Sequence, residues 1–83
     1  MKKEEIIGRN IRWLRLERGY SQERLAELIG FNFSQKQISR YEKGEVKRLN
    51  YVFLKLIATV FEVEIGDLED ENYVKVSTGK GIN

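Results

Sequence analysis

The spacing of the glycine residues is the feature that most constrains how this chain can fold. Gly19, Gly30, Gly44 and Gly66 divide the 83 residues into short segments, and the chain contains no proline. Glycine readily adopts the left-handed backbone conformation in which helices commonly end. Inside the segments, apolar residues recur at helical spacing, and no strand pattern occurs before residue 73. The chain is therefore predicted to form an all-α domain of five short helices.

Capping residues and apolar spacing predict where each helix lies. The predicted helices are Glu4–Arg18, a second from the cap Ser21 to Ile29, a third from the cap Ser34 to about Lys43, a fourth after the cap Asn50, and a fifth over about Ile65–Glu71. The predicted inward-facing residues are Ile7, Ile11, Leu14, Leu25, Leu28, Ile29, Ile38, Tyr41, Tyr51, Leu54, Ile57, Ala58 and Phe61. A tail, residues 72–83, follows the domain of residues 1–71. In this tail Tyr73–Val76 is a candidate short strand, and Ser77–Asn83 is expected to be disordered.

Composition excludes several classes of protein. The chain has no cysteine and no histidine, which excludes disulfides, ordinary zinc sites and Ser-His-Asp or Cys-His catalytic units. The acidic segment 62–71 lacks both a glycine-rich phosphate loop and the spacing of a calcium-binding loop. The apolar runs are far shorter than the roughly 20 residues of a membrane span, and no apolar leader follows Met1. We expect a cytoplasmic protein that is not an enzyme, uses no cofactor and binds neither a membrane nor a small-molecule ligand.

Charge is distributed unevenly along the chain. Residues 1–48 carry 12 Lys/Arg and 7 Asp/Glu, a net charge of +5, whereas residues 49–83 carry 3 and 6, a net charge of −3. This asymmetry is typical of a protein with one basic face toward a polyanion and one acidic face turned away. Charge blocks are also common on ordinary solvated surfaces, so the asymmetry by itself favours nucleic-acid binding only weakly.

The second and third predicted helices are joined by a short turn, as in a helix-turn-helix. In that motif the second helix enters the DNA major groove. One polar face of the third predicted helix carries residues suited to base edges, because Gln pairs with adenine and Arg or Lys with guanine: Gln35, Lys36, Ser39 and Arg40. Cations suited to phosphates lie around this face: Lys43, Lys47 and Arg48.

Residues 8–69 resemble the Cro/C1-type (Xre-family) helix-turn-helix domain of phage repressors and bacterial regulators. Three ordered segments carry the resemblance: Gly8–Arg15 (GRNIRWLR), Arg18–Ala26 (RGYSQERLA) and Ile38–Gly44 (ISRYEKG). The apolar spacing of the last two helices agrees with it. The resemblance implies a five-helix, lambda-repressor-like fold. It also implies a transcriptional regulator that binds double-stranded DNA, and we expect a repressor that binds a pseudo-palindromic operator as a dimer.

The resemblance implies roles for individual residues. Gln35, Lys36 and Arg40 would meet base edges, and Ser39 would touch a base or the backbone. Gln22 would bind a phosphate and brace the third helix. The other residues assigned to phosphates are Ser34, Lys43, Lys47 and Arg48. Arg15 and Glu42 match a buried ion pair of the family, so Glu42 would neutralise Arg15 rather than repel DNA. The alternative for the polar face is ordinary solvated surface, and for Gln22 a simple helix-start residue.

Seven residues, 31–37, separate Gly30 from Ile38, so the turn before the third helix is about two residues longer than is usual in the family. Asn32 is therefore a second candidate for the N-cap, and a start there would shift the base-reading set toward Phe33 and Ser34. We favour the start at Ser34. A second departure is Leu49, where proline is common, which predicts a less rigid loop before the fourth helix.

The fourth predicted helix is apolar nearly all round, which indicates burial on both sides. Either the tail or a second copy of the chain would cover the outer side. A homodimer fits because such domains read two half-sites about one helical turn apart. The predicted dimer surface is Val52, Phe53, Leu56 and Val60. The alternative is a protein-interaction module, such as an antitoxin or a phage-type regulatory factor, acting through this same surface.

Overall fold

The computed structural model describes residues 1–30 and 33–74, and in these ranges it contains five α-helices and no strand. The helices are α1 (Lys3–Glu17), α2 (Gln22–Ile29), α3 (Gln35–Glu42), α4 (Tyr51–Phe61) and α5 (Ile65–Glu69). The all-α prediction is confirmed. Tyr73 and Val74, in the candidate strand, are helical, whereas Lys75, Val76 and Ser77–Asn83 lie outside the described residues. None of the helices in these ranges is long and apolar enough to cross a membrane.

The predicted caps of α2 and α4 are present. The Ser21 hydroxyl oxygen accepts a hydrogen bond from the main-chain N–H of Arg24 at 2.9 Å. The side-chain oxygen of Asn50 accepts from the N–H groups of Val52 and Phe53 at 3.0 and 3.3 Å. Each cap satisfies main-chain donors that have no partner inside the helix. The caps therefore determine where α2 and α4 begin.

The start of α3 is set by a capping box between Ser34 and Gln37. The Gln37 N–H donates to the Ser34 hydroxyl at 3.4 Å, and the Ser34 N–H donates to the Gln37 side-chain oxygen at 2.9 Å. The helix consequently begins at Gln35, which confirms the favoured start. The alternative start at Asn32 is wrong, although residues 31 and 32 themselves lie outside the described part of the chain.

All five helices contribute to the core: α1 packs against α3 and α5, α2 packs against α3 and α4, and α4 packs against α5. The buried members of the core are Ile7, Ile11, Leu14, Leu25, Ile29, Ile38, Tyr41, Phe53, Leu54, Ile57, Ala58, Phe61 and Leu68. Two residues predicted to face inward lie on the surface instead, since Leu28 is 38% exposed and Tyr51 is 45% exposed. Tyr51 is the first residue of α4, and its hydroxyl donates to Glu69 on α5 at 2.8 Å. That bond holds the ring outside the core.

Phe53 occupies the core in place of Tyr51, so its assignment to the dimer surface is wrong. Its side chain is only 1% exposed. The ring packs between Phe33 and Tyr41, at centroid distances of 4.7 and 4.5 Å. Aromatic pairs at this separation add to the stability gained from burial alone. Phe53 thereby joins α4 both to α3 and to the turn that precedes α3.

A buried asparagine on α1 fixes α5. Asn10 is 0% exposed, and its side-chain amide donates to the carbonyl oxygens of Leu68 at 2.9 Å and Asp70 at 2.8 Å. The Asp67 carbonyl oxygen is also within 3.3 Å. Carbonyl groups at the C-terminal end of a helix have no N–H donor inside it and need an external donor. Asn10 supplies that donor from α1.

Candidate nucleic-acid interface

The third helix has a buried face and an exposed polar face. Ile38 is 0% exposed and Tyr41 is 7% exposed, so both anchor the helix in the core. Ser39 is half-buried. The remaining residues predicted to read bases are exposed on the outer side: Gln35, Lys36 and Arg40. The structure therefore brings these side chains together on one surface of a firmly anchored helix.

Gln22 connects the first residue of α2 to both ends of α3. The Gln35 side-chain amide donates to the Gln22 side-chain oxygen at 3.4 Å. The Gln22 amide in turn donates to Glu42, the last residue of α3, at 3.1 Å. The bracing that the resemblance implies for Gln22 is present in these bonds. They limit how far the two helices can move relative to each other.

Arg15 and Glu42 form the expected ion pair. The guanidinium group of Arg15 donates to the two carboxylate oxygens of Glu42 at 2.6 and 3.0 Å, and also to the Tyr20 carbonyl oxygen at 2.8 Å. The two side chains are only 10% and 4% exposed. The hydrogen bond to Glu42 raises the pKa of Arg15 above its ordinary value. The negative charge of Glu42 is thus neutralised inside the domain.

Gly8 allows the close approach of α1 and α3. A Cβ built at this position would overlap the carbonyl oxygen of Tyr41 and lie 3.0 Å from that of Glu42. No side chain therefore fits between the two main chains. No role for Gly8 was predicted from the sequence. The signal that could have indicated this close approach is a glycine inside a predicted helix, since glycine there lowers stability by about 0.5–1 kcal/mol relative to alanine.

The basic loop that follows α3, residues 45–48, is attached to the core. The Asn50 N–H donates to the Tyr41 hydroxyl at 3.0 Å, and the half-buried Val46 and Leu49 pack against the buried cluster. These contacts hold the loop, although Leu49 replaces the proline common in the family. The basic side chains assigned to phosphates stay exposed: Lys43, Lys47 and Arg48. Ser34, which was also assigned to a phosphate, is exposed as well. Its hydroxyl oxygen accepts the capping hydrogen bond, so the hydroxyl hydrogen can still be donated to another group.

A family model described as helix-turn-helix matches residues 11–68. The chain belongs to the Cro/C1-type helix-turn-helix family. The matched range runs from Ile11 in α1 to Leu68 in α5, so it includes the turn and α3 with its polar face. The resemblance that the sequence predicted is confirmed.

Two known proteins are similar to this helix-turn-helix domain. The HTH-type transcriptional regulator SlrR of Bacillus subtilis (strain 168) is 36% identical over 78 residues, which cover 90% of this chain and 50% of SlrR. The domain thus spans about half the length of this curated relative. The crystal structure of the clp gene regulator ClgR from Corynebacterium glutamicum matches with a TM-score of 0.75, covering 98% of this chain and 83% of that chain at 20% identity. This likeness confirms the lambda-repressor-like fold.

The outer side of α4 carries the residues of the helix-turn-helix domain that were predicted to form a dimer surface. Val52 is 67% exposed, whereas Leu56 and Val60 are half-buried and pack against the core. These residues follow one another at a spacing of four, so they form a single stripe along the helix. We call Val52, Leu56 and Val60 the α4 stripe. It is what remains of the predicted dimer surface once Phe53 is placed in the core.

Proposed function

We propose that this domain binds double-stranded DNA sequence-specifically and regulates transcription, with α3 lying in the major groove. The observation that carries the proposal is the exposed polar face of α3, whose helix is held at both ends by Gln22. A recognition surface discriminates well only when its side chains are held on a rigid element. Here the hydrogen bond that Gln22 accepts from Gln35 and the one that it donates to Glu42 supply that rigidity.

Base reading is assigned to the polar face of α3. Gln35 offers the paired donor and acceptor that match adenine, while Lys36 and Arg40 match the acceptors of guanine. Ser39 lies half-buried beside them and is suited to a base or a nearby phosphate. Arg40 is best placed to carry discrimination, because its planar fork can make two hydrogen bonds to one guanine.

Phosphate binding is assigned to residues at the two ends of this face. At one end lie Gln22 and Ser34, and at the other lie Lys43, Lys47 and Arg48, all of them exposed apart from the half-buried Gln22. None of the three cations forms an ion pair within the described ranges. Cations without a protein partner can release counterions from DNA when they bind it, which makes the affinity fall steeply with salt.

We infer that the regulator acts as a repressor, by occupying a pseudo-palindromic operator as a homodimer. SlrR is named a transcriptional regulator, which supports the regulatory part of the proposal. The α4 stripe supports the dimer, because Val52 is 67% exposed at one end of a continuous apolar row. An isologous contact through such a row would relate two α3 helices by a two-fold axis, and an operator read in this way is palindromic.

Selection of bound duplexes from a random DNA pool tests the DNA-binding proposal. We expect one motif to be enriched, with two related half-sites about one helical turn apart. The variant that combines Gln35→Ala with Arg40→Ala should enrich no motif or a different one. If the wild-type protein enriches no sequence at any salt concentration, the proposal is wrong.

Sedimentation of the wild type and of Val52→Glu tests the dimer. The wild type should sediment as a dimer, and Val52→Glu should sediment as a monomer, because the introduced charge would be buried in the contact. Leu28→Glu is the matched control, since Leu28 is a partly exposed apolar residue on α2. It should leave the dimer intact. A wild type that remains a monomer well above micromolar concentration would contradict the homodimer.

The α4 stripe also supports the second candidate, a protein-interaction module. In that case a different protein covers Val52, and binding of that partner survives the Gln35→Ala and Arg40→Ala substitutions. DNA selection separates the two functions, because only the DNA-binding proposal predicts an enriched motif that depends on α3.

A further inference from the structure

A polar surface pocket of about 290 Å³ lies where α1 meets the start of α2 and the end of α3. It is lined by Arg12, Arg15, Gln22, Ser39, Glu42 and Lys43. Every one of these side chains is polar or charged. The pocket lies beside the polar face of α3, because Ser39 belongs to both.

The charge of this pocket comes from two side chains. Arg15 and Glu42 neutralise each other and are almost completely buried. Arg12 and Lys43 are exposed, and neither forms an ion pair with any residue in the described ranges. The pocket therefore carries a net positive charge at its open side, and its ligand should be an anion.

We propose that Arg12 is a further DNA-binding residue and that, together with Lys43, it holds one backbone phosphate of the DNA at this pocket. The inference rests on the proposed function, and it adds α1 to a DNA-facing surface that otherwise consists of α2, α3 and the basic loop. The guanidinium fork of Arg12 suits the paired oxygens of a phosphodiester, while Lys43 contributes a point charge.

Neutral donors complete the pocket. The amide group of Gln22 has two hydrogens, of which one is used in the bond to Glu42, so the other remains available. Ser39, whose hydroxyl can also donate, lines the same pocket. A phosphate bound there would be contacted from three helices at once. It would therefore position α1 as well as α3 on the DNA, while carrying no sequence information itself.

The assignment also gives the Arg15–Glu42 pair a part in DNA binding. Glu42 lines this pocket, and without Arg15 its carboxylate would repel a phosphate there. With the pair intact, the two unpaired cations determine the sign of the local potential. Arg12 thus acts beside an internal ion pair that removes the one opposing charge.

Salt-dependent DNA binding of Arg12→Gln tests the proposal on the duplex obtained from the selection. The negative slope of log affinity against log salt should become shallower by up to about 0.9, the value for one phosphate that is no longer neutralised, because Lys43 alone then faces this phosphate. Preference for that duplex over a scrambled one should stay as in the wild type. Arg12→Lys keeps the charge and should keep the slope. Lys55→Gln is the matched control, because Lys55 is an exposed cation on α4 that lies in a different pocket, with α5.

An unchanged slope in Arg12→Gln, or an equal loss in Lys55→Gln, would overturn the assignment of Arg12. A wild type that binds no DNA would instead overturn the proposed function, so the two failures are distinguishable. Replacing single phosphates of the duplex by neutral methylphosphonates locates the contact. One position in each half-site should weaken the wild type clearly more than it weakens Arg12→Gln, which keeps only Lys43 as a cation at that phosphate. If every position affects both proteins equally, the contact is wrong.

Discussion

The main chain of Gly8 in α1 lies directly against the carbonyl oxygen of Tyr41 in α3, with no room for a side chain between them. Tyr41 is 7% exposed, and its hydroxyl accepts a hydrogen bond from the main chain at Asn50, just before α4. Gly8 therefore determines how deeply the end of α3 is seated on α1. Through Tyr41, it also determines where the basic loop lies.

Substituting alanine for Gly8 should destabilise the domain. The new Cβ would overlap main-chain atoms, which cannot rotate away as a side chain can. Overpacking of this kind costs about 1–3 kcal/mol in unfolding free energy. Gly66→Ala is the matched control, because a Cβ there meets nothing within 4 Å, and it should be neutral or stabilise by up to about 1 kcal/mol. Urea unfolding measures both, and equal midpoints for the two variants would contradict the close approach.

Removing one member of the Arg15–Glu42 pair should be far more harmful than removing both. Arg15→Ala leaves a nearly buried carboxylate without its partner, which should cost about 3–5 kcal/mol. Replacing both, as Arg15→Met with Glu42→Leu, removes the two charges together and should recover much of the stability. Thermal unfolding of the single and double variants gives the comparison. A double variant less stable than Arg15→Ala would contradict the explanation that the unpaired, buried carboxylate of Glu42 causes the loss of stability in Arg15→Ala.

Replacing Asn10 should loosen α5. Asn10→Leu keeps a similar volume but leaves the carbonyl groups of Leu68 and Asp70 without their buried donor. The loss of free energy of unfolding should be about 1–3 kcal/mol. Asn72→Leu, at an exposed asparagine, serves as the control and should change stability little. Hydrogen exchange at the α5 amides should accelerate in Asn10→Leu, and unchanged exchange there would contradict the role of Asn10.

A cluster of Lys3, Tyr51 and Glu69 should make stability depend on acid pH. Lys3 lies 3.0 Å from the Glu69 carboxylate, and the Tyr51 hydroxyl donates to it at 2.8 Å. The bond from Tyr51, followed by that from Lys3, lowers the pKa of Glu69 below its ordinary value of 4.5. Because the pKa of Glu69 is lower in the folded state than in the unfolded chain, the ionised carboxylate stabilises the fold at any pH above its ordinary pKa. This stabilisation is lost as the pH falls through the folded-state pKa.

The variant Glu69→Gln should therefore melt below the wild type at neutral pH, and the difference should shrink as the pH falls below the ordinary pKa of Glu69. Glu45→Gln removes an exposed carboxylate whose side chain makes no ion pair in the described ranges, and it should show no such convergence. Melting temperatures across the acid range test this. A difference between wild type and Glu69→Gln that stays constant with pH would contradict the assignment.

Local features of the fold could be predicted from the sequence. The caps at Ser21, Ser34 and Asn50 involve bonds to residues two or three positions along the chain, so the sequence pattern contains both partners. The start of α3 follows from its cap, and that start determines which residues share its polar face. The family resemblance added the Arg15–Glu42 pair, whose members are 27 positions apart.

Features that depend on distant packing could not be predicted in this way. The donors of Asn10 reach carbonyl groups 58 and 60 positions away, and nothing near Asn10 in the sequence indicates α5. Phe53 rather than Tyr51 enters the core because Phe33 and Tyr41 provide aromatic partners there. Glu62, the residue that follows α4, adopts the left-handed conformation with φ of 59°, and the glycine that usually marks such a helix end is missing there. The position of Arg12 beside α3 likewise results from how α1 packs.

The affinity of Arg40→Ala for duplexes altered at single positions tests the central claim, that α3 reads DNA bases, most directly. Arg40→Ala should lose about 1–3 kcal/mol on the selected duplex and should no longer discriminate at one base position. Lys47→Ala is the comparison, and it should weaken all duplexes alike and reduce the salt slope by about 1. If Arg40→Ala and Lys47→Ala both bind every duplex as the wild type does, α3 does not read DNA.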